Sequence, residues 1–78
     1  MERTETLERV QNIFRDILDN EEVVLTDQST AEDIEEWDSL THIQLIKAIE
    51  KSFSTRFTSR EILSWTHVGE MIDCILSK

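Results

Sequence analysis

Apolar residues recur at helical spacing in three stretches of the chain and lose their period in a long segment between the first two. Leu7, Val10, Phe14, Ile17 and Leu18 form the first stripe, with Ile13 at its edge. This pattern predicts a helix over roughly 4–19, with Thr4 as N-cap, Glu5 and Glu8 near the positive end of its dipole, and Asp19-Asn20 as the stop. The second stretch predicts a helix over about 39–53, with Leu40, Ile43, Ile46, Ile49 and Phe53 as the buried stripe. Leu45 and Ala48 widen that stripe toward a second neighbour, and Lys47, Glu50 and Lys51 fall on the outer side. In the third stretch Val68, Met71, Ile72, Ile75 and Leu76 share a face behind Thr66, the expected N-cap.

Residues 20–38 carry no sustained period. Loops of this length in compact domains are uncommon and tend to be functional or disordered. The cluster Val23-Val24-Leu25 and the isolated Ile34 suggest a loop pinned to the bundle at two points, and Ser29 with Glu32 matches a capping box for one helical turn. After the second helix, Ser54-Thr55-Arg56-Phe57 reads as an extended connection with Phe57 turned inward. Thr58-Ser59-Arg60-Glu61 is a second capping box, opening a short helix that ends near Leu63. The expected fold is all-α: one domain over residues 1–78, a small bundle of three longer helices and one short one, with a long loop between the first two.

Composition narrows what such a bundle can do. At 78 residues the chain lies near the lower limit for a self-sufficient core. A core of that size rarely supplies more than about 3–5 kcal/mol, which leaves little room for a deep pocket with a full catalytic constellation. The single Cys74 excludes an intramolecular disulfide and fits a reduced, cytoplasmic chain. No apolar run approaches the roughly 20 residues that span a bilayer. A net charge of −9 argues against nucleic acid, whose phosphates are bound by clustered Lys and Arg. The charge is unevenly placed: residues 1–38 hold 13 acidic and 3 basic side chains, residues 39–78 hold 4 and 5.

The boundary between these halves is the stretch Glu35-Glu36-Trp37-Asp38-Ser39-Leu40-Thr41. Asp and Ser both cap helix N-termini, so the Ser39 hydroxyl is expected at the mouth of the second helix, exposed and ringed by carboxylates. The hypothesis this raises is that another enzyme modifies that hydroxyl. Ser39 as a self-contained nucleophile would have His42 three residues on. A triad would also need an orienting acid, an oxyanion hole and a pocket, and the strained G-x-S-x-G elbow is absent. A calcium loop fails on spacing: a start at Asp27 supplies no central Gly, and a start at Asp19 ends at Thr30. His42 and His67 are too isolated for a metal site, and Cys74 reads as a half-buried structural thiol. Trp37 and Trp65 are expected to pack at loop–helix junctions, with Trp37 also placed to meet a partner.

Trp37-Asp38-Ser39-Leu40 closely resembles the acyl carrier protein family, whose signature is Asp-Ser-Leu at the start of the second helix. The resemblance extends over nearly the whole chain. It takes in Phe14 and Ile17, the segment from Thr30 to Ile34, the second helix through Phe53, the connection to Thr58, and Thr66-His67-Val68-Gly69-Glu70. It implies a four-helix bundle of acyl-carrier-protein type that is not an enzyme. It also implies that Ser39 receives 4'-phosphopantetheine from coenzyme A by way of a phosphopantetheinyl transferase. The thiol of that arm would hold acyl groups as thioesters for biosynthetic enzymes. By the same resemblance Asp38 and Leu40 serve recognition; Trp37, by its place next to Ser39, is expected to join them, and the protein is expected to be a monomer.

The chain departs from the fatty-acid-synthesis pattern in two places: Glu36-Trp37 replaces the usual Gly before the motif, and Lys47 and Lys51 replace an acidic second helix. That departure points to a dedicated pathway rather than bulk fatty acid synthesis. The competing expectation is a small acidic interaction module without a prosthetic group, in which Ser39 only caps the helix.

Overall fold

Residues 2–78 are described by a computed structural model, in which helix and turn account for the regular structure and no strand occurs among the described residues. The helices are α1 (Arg3–Ile17), α2 (Ser39–Phe53), α3 (Ser59–Ser64) and α4 (Val68–Ser77). α1 packs against both α2 and α4. The innermost side chains are Val10 and Phe14 of α1, Leu45 and Ile49 of α2, and Val68, Met71 and Ile72 of α4. The all-helical bundle expected from periodicity is therefore present, with three longer helices and a short α3.

α1 begins at Arg3 rather than at a Thr4 cap. Glu2 is the N-cap and makes no side-chain cap bond. Arg3 ties the helix start to two other parts of the chain: its guanidinium pairs with Asp27 and Asp73 and donates to the Gly69 carbonyl at 3.2 Å. Thr6, a polar residue outside the predicted stripe, is fully buried because its hydroxyl donates back to the Glu2 carbonyl at 3.0 Å. α1 ends two residues early. Asp19 adopts the left-handed region at φ 52°, and the Asn20 N–H then reaches back to the Arg15 carbonyl at 3.0 Å. Ser54 does the same after α2, with φ 52° and a bond from Thr55 N–H to the Glu50 carbonyl at 3.0 Å. Polar residues thus take the place usually held by glycine at both helix ends.

The register of α2 differs from expectation. Leu40 and Ile43 are 68% and 55% exposed, while Leu45, assigned only a widening role, is fully buried beside Ile46 and Ile49. Phe53 packs partly buried on the core, and Arg9 lies 4.3 Å over its ring.

The long first loop is held by backbone hydrogen bonds and by Val23, Leu25 and Ile34, all buried; Val24 is exposed. Gln11 accepts from Leu25 N–H at 2.9 Å, and Arg15 donates to the Val23 carbonyl at 2.8 Å. The single turn expected from Ser29 forms one residue later: Asp33 N–H donates to the Thr30 carbonyl and the Asp33 carboxylate accepts from Thr30 N–H, both at 3.0 Å, while the Ser29 hydroxyl accepts from Thr26 N–H at 2.9 Å. α4 starts at Val68 with His67, not Thr66, as its N-cap residue. Its first N–H groups are satisfied by the loop: Val68 donates to the Ser29 carbonyl and Gly69 to that of Asp27, both at 2.8 Å. Thr66 is instead bound by the Glu70 carboxylate, which accepts from its N–H at 2.9 Å and also from its hydroxyl.

α3 opens with the predicted capping box, Thr58 Oγ1 accepting from Glu61 N–H at 3.1 Å and Glu61 from Thr58 N–H at 2.8 Å. It is seated by Phe57 and Trp65, edge to face at 5.0 Å, and by Glu61 with Lys78 at 2.8 Å. The Lys78 ammonium, then the Thr58 N–H, hold the Glu61 carboxyl down at about 2. Cys74 is half-buried, and burial followed by its bond to Glu61 pushes the thiol up, which keeps it protonated and unreactive.

Candidate functional site

Asp38 fixes the start of α2. Its backbone is extended (φ −122°, ψ −171°), and its carboxylate Oδ1 accepts from Leu40 N–H at 3.0 Å and Thr41 N–H at 2.9 Å. Thr41 reciprocates, its Oγ1 accepting from Asp38 N–H at 2.8 Å and donating to the Glu36 carbonyl at 2.9 Å. This is a capping box with Thr in the place of the usual Glu or Gln. The Thr41 N–H, chief among these donors, keeps the Asp38 carboxyl below its ordinary range.

The cap is therefore Asp38, and Ser39 is the first residue of the helix proper. Ser39 is exposed, and its hydroxyl makes no hydrogen bond among the described residues. A side chain with no structural bond at a helix mouth is free for chemistry. The N-terminal dipole favours an anion attached there. Two of the first-turn N–H groups are already taken by Asp38, so the site offers a favourable field and an open hydroxyl rather than a closed anion cradle.

Trp37 and His42 stand behind this serine. The Trp37 indole N–H donates to His42 Nδ1 at 3.0 Å, and the rings stack at 5.9 Å with 27° between planes. An indole nitrogen only donates, so Nδ1 must carry the lone pair and the neutral ring its proton on Nε2. Burial lowers the His42 pKa in the same direction. The basic nitrogen of His42 is thus occupied, which removes it as a general base for Ser39. Trp37 is 8% exposed and meets Phe14 edge to face at 4.8 Å, so the residue two before Ser39 is fastened to α1.

Ser39 and His42 border a cavity of about 430 Å³ together with Ala31, Trp37, Trp65 and Met71. His67 lies on the same rim but pairs with Glu70 at 3.6 Å. No group of three or more potential metal ligands occurs among the described residues. Among the described residues no helix is long and apolar enough to cross a membrane.

Beyond the serine, Leu40 and Ile43 form an exposed apolar step on α2, followed along the same face by Lys47 and Lys51. Spacing alone hid this face, because α2 carries apolar residues on two arcs. The arc through Leu40 and Ile43 runs on into Lys47 and Lys51, whereas that through Leu45, Ile46, Ile49 and Phe53 meets no charge. Continuity of the uncharged arc was the signal that separates them. The roles of Thr41 and His42 were also unmarked, their partners lying three and five residues upstream.

A family model described as "Phosphopantetheine attachment site" matches residues 8–75. Among solved structures, the chain is similar to the holo acyl carrier protein of Geobacter metallireducens, determined by solution NMR. The TM-score is 0.88 at 36% sequence identity, over 94% of this chain and 84% of that one.

Proposed function

Because the chain belongs to the phosphopantetheine-attachment family, as a carrier of the acyl carrier protein type and not an enzyme, we propose that Ser39 is its attachment point and that residues 1–78 form one carrier domain. The group this family bears is covalent 4'-phosphopantetheine, whose terminal thiol holds acyl groups as thioesters. The observation that carries the assignment to Ser39 is an exposed, unbonded hydroxyl on the first residue of a helix whose capping box is made by Asp38 and Thr41, without it.

The surrounding residues divide the remaining work. Asp38 fixes the backbone at the helix start, which places Ser39 at its mouth, and adds a carboxylate beside the hydroxyl for a transferase to recognise. Leu40 offers a partner apolar surface next to the arm. Trp37 serves recognition indirectly, from a buried position, by fixing the approach of the loop to α1. The basic nitrogen of His42 is engaged, so His42 is not the base for Ser39, and deprotonation of the hydroxyl falls to the phosphopantetheinyl transferase.

The partners are that transferase and the enzymes that load and use the arm, in the cytoplasm, with the carrier acting as a monomer. Lys47 and Lys51 on α2 favour a dedicated biosynthetic pathway over bulk fatty acid synthesis. Incubation with coenzyme A, magnesium and a broad-specificity transferase, followed by intact-mass measurement, tests the assignment. A single phosphopantetheine adduct that vanishes in Ser39→Ala is expected; an adduct that persists in that variant overturns it.

A further inference from the structure

The eight Lys and Arg side chains sort into two groups. Arg3 pairs with Asp27 and Asp73, Arg9 lies over Phe53 and bonds the Ser52 carbonyl, Arg15 bonds the Val23 carbonyl, and Lys78 pairs with Glu61. Lys47, Lys51, Arg56 and Arg60 are exposed and make no hydrogen bond or ion pair among the described residues. Three of these four gather in one place: Lys47, Lys51 and Arg56 border a single shallow depression at the C-terminal end of α2. The carboxylate of α2 in that depression, Glu50, is drawn toward the backbone, where its Oε2 accepts from Phe57 N–H at 2.8 Å.

This depression continues the face that starts at Ser39. Residues 40, 43, 47 and 51 follow the three- and four-residue spacing of one helical face, and all four are exposed. The face therefore reads attachment serine, apolar step, basic patch. At physiological salt, charges more than about 8 Å apart are largely screened. A partner on α2 is thus governed by this local patch and not by the net charge of −9.

We propose that the enzymes that act on the arm, meeting the carrier beside Ser39, present an acidic patch for Lys47, Lys51 and Arg56 next to an apolar recess for Leu40 and Ile43. The inference rests on Ser39 being the attachment point. With a rise of 1.5 Å per residue, Lys47 and Lys51 lie about 12 and 18 Å along the axis from Ser39. The acidic patch on a partner therefore sits at about that distance from the mouth of the channel that admits the arm. Complementary charge there speeds encounter, and a basic surface at the same point is repelled.

The test uses ¹⁵N-labelled protein loaded at Ser39, titrated with two synthetic amphipathic helical peptides of equal length, one of Glu and Leu and one of Lys and Leu. The acidic peptide is expected to shift the amides of Leu40, Ile43, Lys47, Lys51 and Arg56 with an affinity that falls as salt rises. Lys47→Glu/Lys51→Glu/Arg56→Glu is expected to weaken it about tenfold or more. Glu5→Gln/Glu8→Gln on α1 should leave its affinity within about twofold. Shifts from the acidic peptide elsewhere on the molecule, or equal affinity for the triple variant with a preserved amide spectrum, overturn the proposal. Preferential binding of the Lys peptide to this face does so as well. Failure of Ser39 to take the arm in the mass assay instead overturns the carrier assignment itself, whatever the peptides do.

Discussion

The indole N–H of Trp37 and the Nδ1 of His42, 3.0 Å apart, make a hydrogen bond that exists only while the imidazole is neutral. His42 therefore titrates below its ordinary 6.5 in the folded protein, burial being the cause. In the window beneath 6.5 the unfolded chain binds the proton that the folded chain refuses, so stability is complete above that pH and declines as pH falls. Urea midpoints should drop between pH 7.5 and 5.5, and His42→Gln should flatten that part of the profile. A separate acid limb follows at lower pH: the depressed carboxyl of Glu61 contributes stability above about 4.5 that is lost as pH falls toward about 2. A His42→Gln profile identical to that of the parent between pH 7.5 and 5.5 would remove the titration of buried His42 as its source.

Asp38 and Ser39 are neighbours with opposite expected costs. Asp38→Ala removes the acceptor for two helix N–H groups, a loss of about 0.5–2 kcal/mol for a capping residue. Asp38→Asn keeps an acceptor oxygen and should recover most of it. Ser39→Ala breaks no hydrogen bond and should stay within about 0.5 kcal/mol. Chemical denaturation of the three variants in parallel checks the ranking.

On α2, Leu45→Ala should cost about 2–5 kcal/mol, as for a fully buried leucine. Ile43→Ala, two residues away on the exposed arc, should change stability by no more than about 0.5 kcal/mol. Similar losses for both would mean that the helix is rotated relative to the orientation described above.

Gly69 is fixed by close approach. A Cβ there would stand 2.9 Å from the Asp27 carbonyl oxygen and 3.2 Å from Asp27 Cβ, so the loop backbone itself would have to move. Gly69→Ala gains helix propensity but should still destabilise by about 1–3 kcal/mol. Amide shifts of the variant should centre on residues 26–30 rather than on α4.

How far the sequence carries toward this structure depends on the kind of signal. The capping boxes and apolar stripes fixed α3 and α4 to within a residue or two, because both ends of the information lie within one turn. The exposed position of Ser39 at the mouth of α2 was legible for the same reason, Asp38 being its immediate neighbour. The rotation of α2 was not given by period alone, since either apolar arc could have faced inward; the lysines on one arc decide it physically. The start of α1 depends on Arg3 reaching Asp27 and Asp73, partners far along the chain that no local window contains. The pinning of the loop at Val23, Leu25 and Ile34 was legible in the apolar pattern, but its bonding partners were hidden for a similar reason. Its anchors are single side chains and carbonyls that bond to α1 and α4, so its order is tertiary in origin.

The carbonyls of Asp27 and Ser29 do for α4 what a capping side chain does elsewhere. Lifting the loop leaves the Gly69 and Val68 amides bare, and fraying α4 releases two anchors of the loop, so the two segments open as one cooperative unit. Hydrogen exchange at Val68 and Gly69 thereby becomes a gauge of the chain ahead of Ser39. A partner that stirs the acidic loop will be felt, through those two amides, in the last helix of the protein.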